Sequence, residues 1–313
     1  RGIAWRNVAG YSTDSVAQHT FAMLFYLYEK LAYYDDYVKS GRYIGDKTFT
    51  HFAKVFRELA GKKWGIIGLG AIGVKVANAA VHLGMEVFGF DPYVSVDAAW
   101  RLSRNIHHAK TVDELYKNCD YITVHVPATA NNKGMIDKNA IGLMKKGVVV
   151  LNFARDVLVN EEDMIDALES GQVKHYVSDF PTPVIAGVKG AIVIPHLGAS
   201  TEESEDNCAK MAVRQLMDYL EYGNIKNSVN YPDCDMGMPG DNRRIVLLHY
   251  NKPNMLGQFT KILAADNMNI ADLSNKSKGA YAYTMIDIDS DIPANVENDL
   301  RNIEGVLRVR VLN

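Results

Sequence analysis

One glycine pattern restricts the fold of this chain more than any other feature of its sequence. Gly68, Gly70 and Gly73 follow a short apolar segment and precede a helical one, in the spacing G-x-G-x-x-G. In this spacing the first glycine permits a tight turn, the second lets the backbone approach a pyrophosphate, and the third lets a helix pack closely on a strand. The pattern therefore predicts a strand–turn–helix unit that binds a dinucleotide.

The residues that flank the glycines indicate which dinucleotide is bound. Ala71 and Ile72 begin the predicted helix, whose free N–H groups and positive dipole end attract phosphate. Asp91 directly follows the next apolar segment, 86–90. A carboxylate at the end of that strand accepts hydrogen bonds from the ribose hydroxyls and repels a 2′-phosphate, so we expect NAD rather than NADP as the cofactor.

Apolar segments alternate with helical patterns along the first two thirds of the chain. Strand candidates lie at 64–68, 86–90, 121–126, 147–152, 174–178 and 191–195. Long helical patterns lie at 12–40 and 201–222. Near-continuous apolar strands separated by helices are typical of a sheet that is covered on both faces. The predicted fold class is therefore α/β, with a Rossmann-type doubly wound parallel sheet.

The C-terminal part of the chain has a different pattern. Asn, Gly, Pro and Asp crowd between residues 223 and 242, which is the composition of a linker. After it, strand candidates lie at 243–249, 268–277, 280–288 and 306–312, and helical patterns lie at 255–266 and 292–302. The order βαββαβ predicts a separate ferredoxin-like unit.

Composition and charge exclude several classes of protein. The net charge of -3 gives no basic field for nucleic acid or an anionic membrane. No apolar run reaches the roughly 18 residues that a membrane span needs. No signal peptide is recognised, and Arg1–Trp5 is predicted to enter a buried strand. Cys119, Cys208 and Cys234 lack the spacing of a disulfide framework or a metal site, so we expect a cytoplasmic protein without a metal.

Two further motifs complete the pattern of a known family. They are Asn152-Phe153-Ala154-Arg155 and Pro195-His196-Leu197-Gly198-Ala199-Ser200. With the glycine pattern and Asp91, they make residues 1 to about 230 resemble the D-isomer-specific 2-hydroxyacid dehydrogenases, and from about residue 61 the phosphoglycerate dehydrogenase branch. The resemblance implies a small 2-hydroxy acid as substrate. It also implies further cofactor contacts from Phe153, Ala154, Arg155, Asp179, Gly198 and Ala199.

The resemblance assigns catalysis to His196 and Arg155, and the chemistry suits both residue types. A histidine can remove the hydroxyl proton while hydride leaves the same carbon, because its pKa lies near working pH. An arginine can hold the substrate carboxylate with two parallel hydrogen bonds. Outside these motifs, a lone histidine in a loop or a lone surface arginine would more often be structural.

Three departures from the family pattern leave alternatives open. Val184 stands where the family carries the glutamate that hydrogen-bonds the catalytic histidine, and an imidazole without that partner is less basic. Members of the family begin with several βα units of substrate domain before the segment that Arg1 opens. Residues 7–20 resemble the D-lactate and D-2-hydroxyisocaproate dehydrogenases instead. The alternatives are therefore a D-lactate-like dehydrogenase, or a protein that binds NAD and an amino acid without useful catalysis.

The C-terminal unit resembles the ACT regulatory domain of many phosphoglycerate dehydrogenases. His249, Asn251 and Asn269 match the positions that bind an amino-acid effector in that domain, L-serine in this branch. Amide and imidazole groups can donate to a carboxylate and accept from an ammonium group. Asn254 replaces the usual glycine of the following turn, and asparagine tolerates positive φ better than most residues.

The resemblance also implies a domain plan and an assembly. A remnant of the substrate domain, with an interdomain helix and a dimer arm, is expected at 1–61 and the NAD-binding domain at 62–200. A return helix with a further remnant is expected at 201–230, a linker at 231–242 and the ACT domain at 243–313. Edge strands and one open sheet face of the C-terminal unit suggest pairing between copies. The helix at 12–40 and the aromatic residues of the arm suggest a second contact between copies. We therefore expect a homodimer or homotetramer. The aromatic residues of the arm are Tyr43, Phe49, Phe52 and Phe56.

Overall fold

The computed structural model describes residues 5–55 and 57–312, which form two compact units. The α/β unit comprises Ser12–Ser204, and the ferredoxin-like unit combines the described residues up to Tyr11 with those from Glu205 onward. Most of the strand predicted at the start of the chain, and Phe56 of the predicted arm, lie outside the described residues.

The α/β unit contains a parallel sheet of seven strands. They are β1 (Lys63–Ile67), β2 (Glu86–Phe90), β3 (Ile106–His108), β4 (Tyr121–Val124), β5 (Val148–Asn152), β6 (Val173–Ser178) and β7 (Ala191–Val193). Their order across the sheet is β3-β2-β1-β4-β5-β6-β7. The predicted doubly wound fold is confirmed, because the order reverses beside β1 as it does in dinucleotide-binding sheets. The three-residue β3 is too short to show a pattern in the sequence.

Helices cover both faces of this sheet. They are α1 (Thr13–Glu29), α2 (Leu31–Lys39), α3 (Ala71–His82), α4 (Val96–Arg101), α5 (Val112–Asn118), α6 (Lys138–Leu143) and α7 (Glu161–Ser170), with a 3-10 turn at Asp156–Leu158. Successive residues of β5 enter different cores, since Val149 and Leu151 belong to one apolar cluster and Val150 to the other. Each fully buried aliphatic side chain of this kind contributes about 1.5–3 kcal/mol. Burial on both faces explains why the strands are apolar throughout.

The prediction of a single helix at 12–40 was wrong in one respect, because the helix is interrupted at Lys30. Lys30 has φ of 53°, in the left-handed region, and it separates α1 from α2. Such a conformation costs a non-glycine residue roughly 1–2 kcal/mol. Leu24 and Leu27 of α1 are buried, whereas Tyr37 is the buried residue recorded on α2. The two helices therefore pack differently, and packing rather than local propensity sets the break.

The ferredoxin-like unit begins with α8 (Glu202–Tyr222), most of which belongs to it. Its other elements are β8 (Arg243–Tyr250), α9 (Met255–Ala265), β9 (Ile270–Lys278), β10 (Tyr281–Ile288), α10 (Ala294–Arg301) and β11 (Val306–Leu312). The strands form an antiparallel sheet in the order β11-β8-β10-β9. The predicted βαββαβ order is confirmed, and α9 and α10 pack on one sheet face through Phe259 and Leu300.

The sheet face that we expected to be open is covered by the chain itself. Ile225, Tyr231 and Cys234, from the segment predicted to contain a linker, pack against β8 and β10. Tyr231 and Cys234 are 1% and 2% exposed. The open-face prediction was wrong because linker composition reports backbone freedom and does not reveal three apolar side chains that find a core.

Arg244 of β8 fastens that segment to the sheet. Its guanidinium donates to both carboxylate oxygens of Asp287 on β10, at 2.6 and 2.7 Å, and its side chain is fully buried. The same group also donates to the carbonyl oxygens of Tyr222 and Gly237, at 2.7 Å each. The buried charge is thus paired and hydrogen-bonded, which is the condition under which a buried ion pair is tolerated.

Candidate active site

The glycine pattern lies at the carboxyl end of β1, where loops of a parallel sheet bind ligands. Gly68 has φ of 94°, and a Cβ there would lie 2.7 Å from the carbonyl oxygen of His125. A Cβ on Gly73 would lie 1.9 Å from the carbonyl oxygen of Gly68. A Cβ on Gly70 would meet no atom within 4 Å, so its backbone faces open space. Two glycines are needed for the turn and its packing, and the third leaves room for a ligand.

Asp91 is held in place beside this turn. The Leu69 and Tyr93 N–H groups donate to its two carboxylate oxygens, at 2.8 Å each. The fixed carboxylate suits the hydroxyl groups of a ribose. The neighbouring N-terminus of α3, with Ala71 and Ile72 in its first turn, suits a pyrophosphate. The residues present therefore fit NAD.

A buried asparagine shapes the turn that follows β5. Asn152 is fully buried, its amide donates to the Arg155 carbonyl oxygen at 2.8 Å, and its Oδ1 accepts from Ala154 N–H at 3.1 Å. Phe153 is buried by this turn, whereas Arg155 is exposed. No carboxylate pairs with Arg155 in the described part of the chain. Its guanidinium is exposed, and its Nη1 donates to the Ala154 carbonyl oxygen at 2.6 Å.

His196 lies on a second turn, beyond β7. It is exposed, has φ of 57°, and its ring meets Phe180 edge-on with centroids 4.9 Å apart. A left-handed non-glycine residue persists only where its surroundings hold it, and such residues cluster at functional sites. The surroundings here are the carboxylate of Asp179, which accepts from Leu197 and Gly198 N–H, both at 2.7 Å. Asp179 thus fixes the backbone just after His196 and beside Ala199, and its direct contact with NAD stays a prediction.

The ring of His196 has no hydrogen-bond partner among the residues that the structure describes. Val184, at the place expected for the family's glutamate, is 50% exposed. It lines a shallow cleft with Asp156 and Thr182, and Thr182 donates to Glu161 Oε1 at 2.6 Å. The imidazole is therefore not oriented by a carboxylate in this structure.

Two residues of α1 complete the site, and sequence reasoning gave neither of them a role. Ser15 Oγ donates to the Gly198 carbonyl oxygen at 2.6 Å. One turn later, His19 Nε2 lies 3.9 Å from Asp179 Oδ1 and has no hydrogen-bond partner, although it is buried. Burial lowers the pKa of His19, and Asp179 opposes that shift. A histidine within an apolar helix was the available signal, but its partner is distant in the chain.

The predicted effector residues lie in the ferredoxin-like unit and are already hydrogen-bonded. His249 is 2% exposed, with Nδ1 2.8 Å from the Tyr250 carbonyl oxygen and Nε2 2.8 Å from Thr284 Oγ1. Burial lowers its pKa, which favours the neutral ring. Asn251 donates to the Gly279 carbonyl oxygen at 3.3 Å, and Asn269 donates to Asp289 Oδ2 at 2.7 Å. The two asparagines are exposed, whereas both His249 nitrogens are engaged within the chain.

The described residues contain neither a membrane-spanning helix nor a cluster of metal ligands. No helix within 5–55 and 57–312 is long and apolar enough to cross a membrane. Over the same residues, no three His, Cys, Asp or Glu side chains converge as metal ligands.

Comparisons of the sequence and the structure with known proteins agree on one family. The profile described as "D-isomer specific 2-hydroxyacid dehydrogenase, NAD binding domain" matches residues 21–198. D-3-phosphoglycerate dehydrogenase of Haemophilus influenzae is 27% identical over 100% of this chain and 76% of its own length. The Escherichia coli K12 protein of that name is 30% identical over 82% of this chain and 64% of its length. The structure of Aquifex aeolicus D-lactate dehydrogenase with NAD and lactic acid matches 70% of this chain and 69% of that one, with a TM-score of 0.60 and 27% identity.

Proposed function

Since this chain belongs to the D-isomer-specific 2-hydroxyacid dehydrogenase family and contains its NAD-binding domain, we propose that it oxidises D-3-phosphoglycerate to 3-phosphohydroxypyruvate. One observation favours D-3-phosphoglycerate as the substrate. The H. influenzae D-3-phosphoglycerate dehydrogenase matches the whole of this chain, including the ferredoxin-like unit, whereas the D-lactate dehydrogenase structure matches 70% of it. The chain spans 64% of the E. coli relative.

The exposed side chains at the carboxyl edge of the sheet supply the chemistry. When bound, NAD supplies the acceptor for the hydride that leaves the carbon bearing the hydroxyl group. His196 accepts the hydroxyl proton as the C–H bond breaks and the C=O bond forms, so one hydride and one proton leave the substrate. Arg155 holds the substrate carboxylate and stabilises charge on the developing carbonyl oxygen.

A second substrate class is favoured by two observations, the D-lactate dehydrogenase structure and residues 7–20 of the sequence. Such an enzyme would act on unphosphorylated acids. Steady-state assays of NADH formation with D-3-phosphoglycerate, D-lactate and D-2-hydroxyisocaproate separate the two. We expect the largest kcat/KM with D-3-phosphoglycerate. A larger value with D-lactate would select the second class, and tight NADH binding with no turnover on any acid would select a binding protein without catalysis.

We also propose that L-serine regulates the protein through the ferredoxin-like unit, in a homodimer or homotetramer. Asn251 and Asn269 are exposed and carry amide groups suited to a zwitterion, and β9 and β11 are the edge strands available for pairing. His249 would join them only by giving up a hydrogen bond within the chain. A ligand held by two subunits stabilises the assembly, by about 2.7 kcal/mol at a hundredfold excess over Kd.

Sedimentation velocity and thermal unfolding with and without L-serine test this regulation. Asn251→Ala and Asn269→Ala should each weaken the serine response, whereas Asn298→Ala, on the exposed side of α10, should not. A monomer at micromolar concentration, or a serine response that survives both substitutions, would contradict the proposal.

A further inference from the structure

A cavity with a strongly basic lining opens at the edge of the parallel sheet opposite the glycine turn. We call it the basic cavity; its volume is about 470 Å³. Its cationic lining consists of Lys30, Arg57, Lys62, Lys146 and Lys174. Leu27, Tyr28, Tyr121 and Val149 form the less polar part of its wall. This volume is in the range of small-molecule sites.

The fold brings these charges together from separate parts of the chain. Lys62, Lys146 and Lys174 lie at or just before the amino ends of β1, β5 and β6; β1 and β5 flank β4 in the sheet, and β6 lies beside β5. Lys30 is the left-handed residue that breaks the helix between α1 and α2. Arg57 comes from the irregular segment before β1. Neither motif nor spacing in the sequence indicates this convergence.

None of the five cations forms an ion pair with a carboxylate in the described part of the chain. The one acid among the described lining residues, Asp120, accepts from Lys145 Nζ at 3.0 Å and from Lys63 N–H at 2.9 Å. Five converging positive charges therefore face one carboxylate that is already bonded elsewhere.

The pKa values of two side chains are lowered in part by these positive charges. Burial lowers the pKa of Lys30, and the charges of Lys174 and Lys54 lower it further. The pKa of His175 is lowered by burial and then by Lys30, and its Nδ1 is buried without a hydrogen-bond partner. Like charges held together destabilise a fold unless a counter-charge binds among them. These converging positive charges are thus arranged for an anion.

We propose that the basic cavity binds a small molecule with two or more phosphate groups, separately from NAD. A diphosphate or larger group matches several cations at once, whereas one monoanion would leave most of them uncompensated. The neighbouring strands are about 16 Å long, so the cavity and the cofactor site lie at opposite ends of the sheet. Anion binding in this cavity does not require the substrate proposed above.

The first test measures thermal unfolding of the full chain with sodium pyrophosphate, and separately with ADP. Saturating NADH is present throughout, so that the cofactor site is occupied, and sodium chloride keeps the ionic strength constant. A saturable rise in Tm supports the proposal. Greater potency of ADP would show that a nucleotide is the preferred source of the diphosphate, and equal potency would show that the diphosphate alone is recognised. No rise with either compound would overturn the proposal.

The second test removes charge from the cavity. The double substitution Lys30→Met and Lys174→Met should raise the Kd for pyrophosphate at least about tenfold, and Lys146→Met about threefold. Lys138→Met, an exposed residue of α6 outside the lining, is the matched control and should leave that Kd unchanged. Unchanged binding in the cavity variants, or an equal loss in the control, would overturn the proposal. If the double variant no longer binds NADH, Lys146→Met decides the question.

Discussion

The two units use their polar residues in opposite ways. At the carboxyl edge of the α/β unit, Arg155 and His196 are exposed, and neither side chain has an ion-pair partner among the described residues. In the ferredoxin-like unit, Arg244 and His249 are buried, and each makes its hydrogen bonds within the chain. Arg155 and His196 thus reach solvent, whereas Arg244 and His249 are committed to the fold.

Topology explains the difference. Parallel strands all end at one edge, and the turns that follow them present side chains beyond the sheet, where neither neighbouring strand supplies a partner. In the antiparallel unit Arg244 and His249 lie within β8, beside β10. Asp287 of β10 is directly opposite Arg244, and Thr284 is the diagonal neighbour of His249. Cross-strand pairs of this kind stabilise a sheet. The position of a polar residue within or beyond its strand, rather than its type, decides whether its side chain is bonded within the sheet or exposed to a ligand.

The comparison is tested most severely by His196→Gln. If this exposed ring transfers the proton, kcat should fall by about 10²- to 10⁴-fold, because general base catalysis is lost. NADH affinity should stay within about twofold, since the NAD-binding turns are unaltered. Steady-state kinetics and NADH titration measure the two effects. His82→Gln, an exposed histidine on α3, is the control, and similar kinetics for both variants would show that His196 is not the base.

The next largest effect is expected in the ferredoxin-like unit. Arg244→Met leaves Asp287 as an unpaired buried charge, which costs about 3–5 kcal/mol of unfolding free energy. Arg243→Met removes an exposed pair with Asp291 and should cost less than about 1 kcal/mol. Urea unfolding of both variants measures the difference. Equal stability would mean that Arg244 does not hold the covering segment as its geometry indicates.

A pH effect should appear in the α/β unit through His125, which follows β4. Burial lowers the pKa of His125 to about 4, from an ordinary value of 6.5. The folded state keeps this ring neutral while the unfolded chain takes up a proton. Stability is therefore fully present above pH 6.5 and falls as the pH drops towards 4, by at most about 3 kcal/mol. Unfolding from pH 7.5 to 4.5 should be less pH-dependent in His125→Gln, and no such change is expected in His107→Gln, at an exposed position of β3.

The smallest predicted effect concerns the missing carboxylate. Val184→Glu should move the pH profile of kcat/KM upward by about one pKa unit if the new side chain reaches His196 and stabilises its protonated form. Val184→Gln has the same shape without the charge and should leave the profile in place. An identical profile for both variants would mean that the side chain at 184 points into the cleft with Thr182 instead.

Parts of the fold and site that depend on short segments could be predicted. Gly68, Gly70 and Gly73 act within one turn, and Asp91 follows the adjacent strand, so their local spacing predicted both the sheet and its cofactor. Ser15 could not be predicted, because it reaches Gly198 across 183 residues of chain. The role of His19 could not be predicted for the same reason, since Asp179 is also far away in the sequence. Asn152 was named only as part of a motif, and its structural use needs the geometry of the turn.

The sequence by itself determined the two architectures and the residues presented at the edge of the parallel sheet, because periodicity, turn chemistry and strand ends are local properties. Only the tertiary structure decided that Lys30 breaks a helix, that residues 225–236 cover the second sheet and that five cations meet in one cavity. A left-handed backbone at Lys30 costs about 1–2 kcal/mol, and unpaired lysines also lower the stability of the fold. The free energy gained by burying apolar side chains from distant segments outweighs these costs. Those energies arise only when the segments meet.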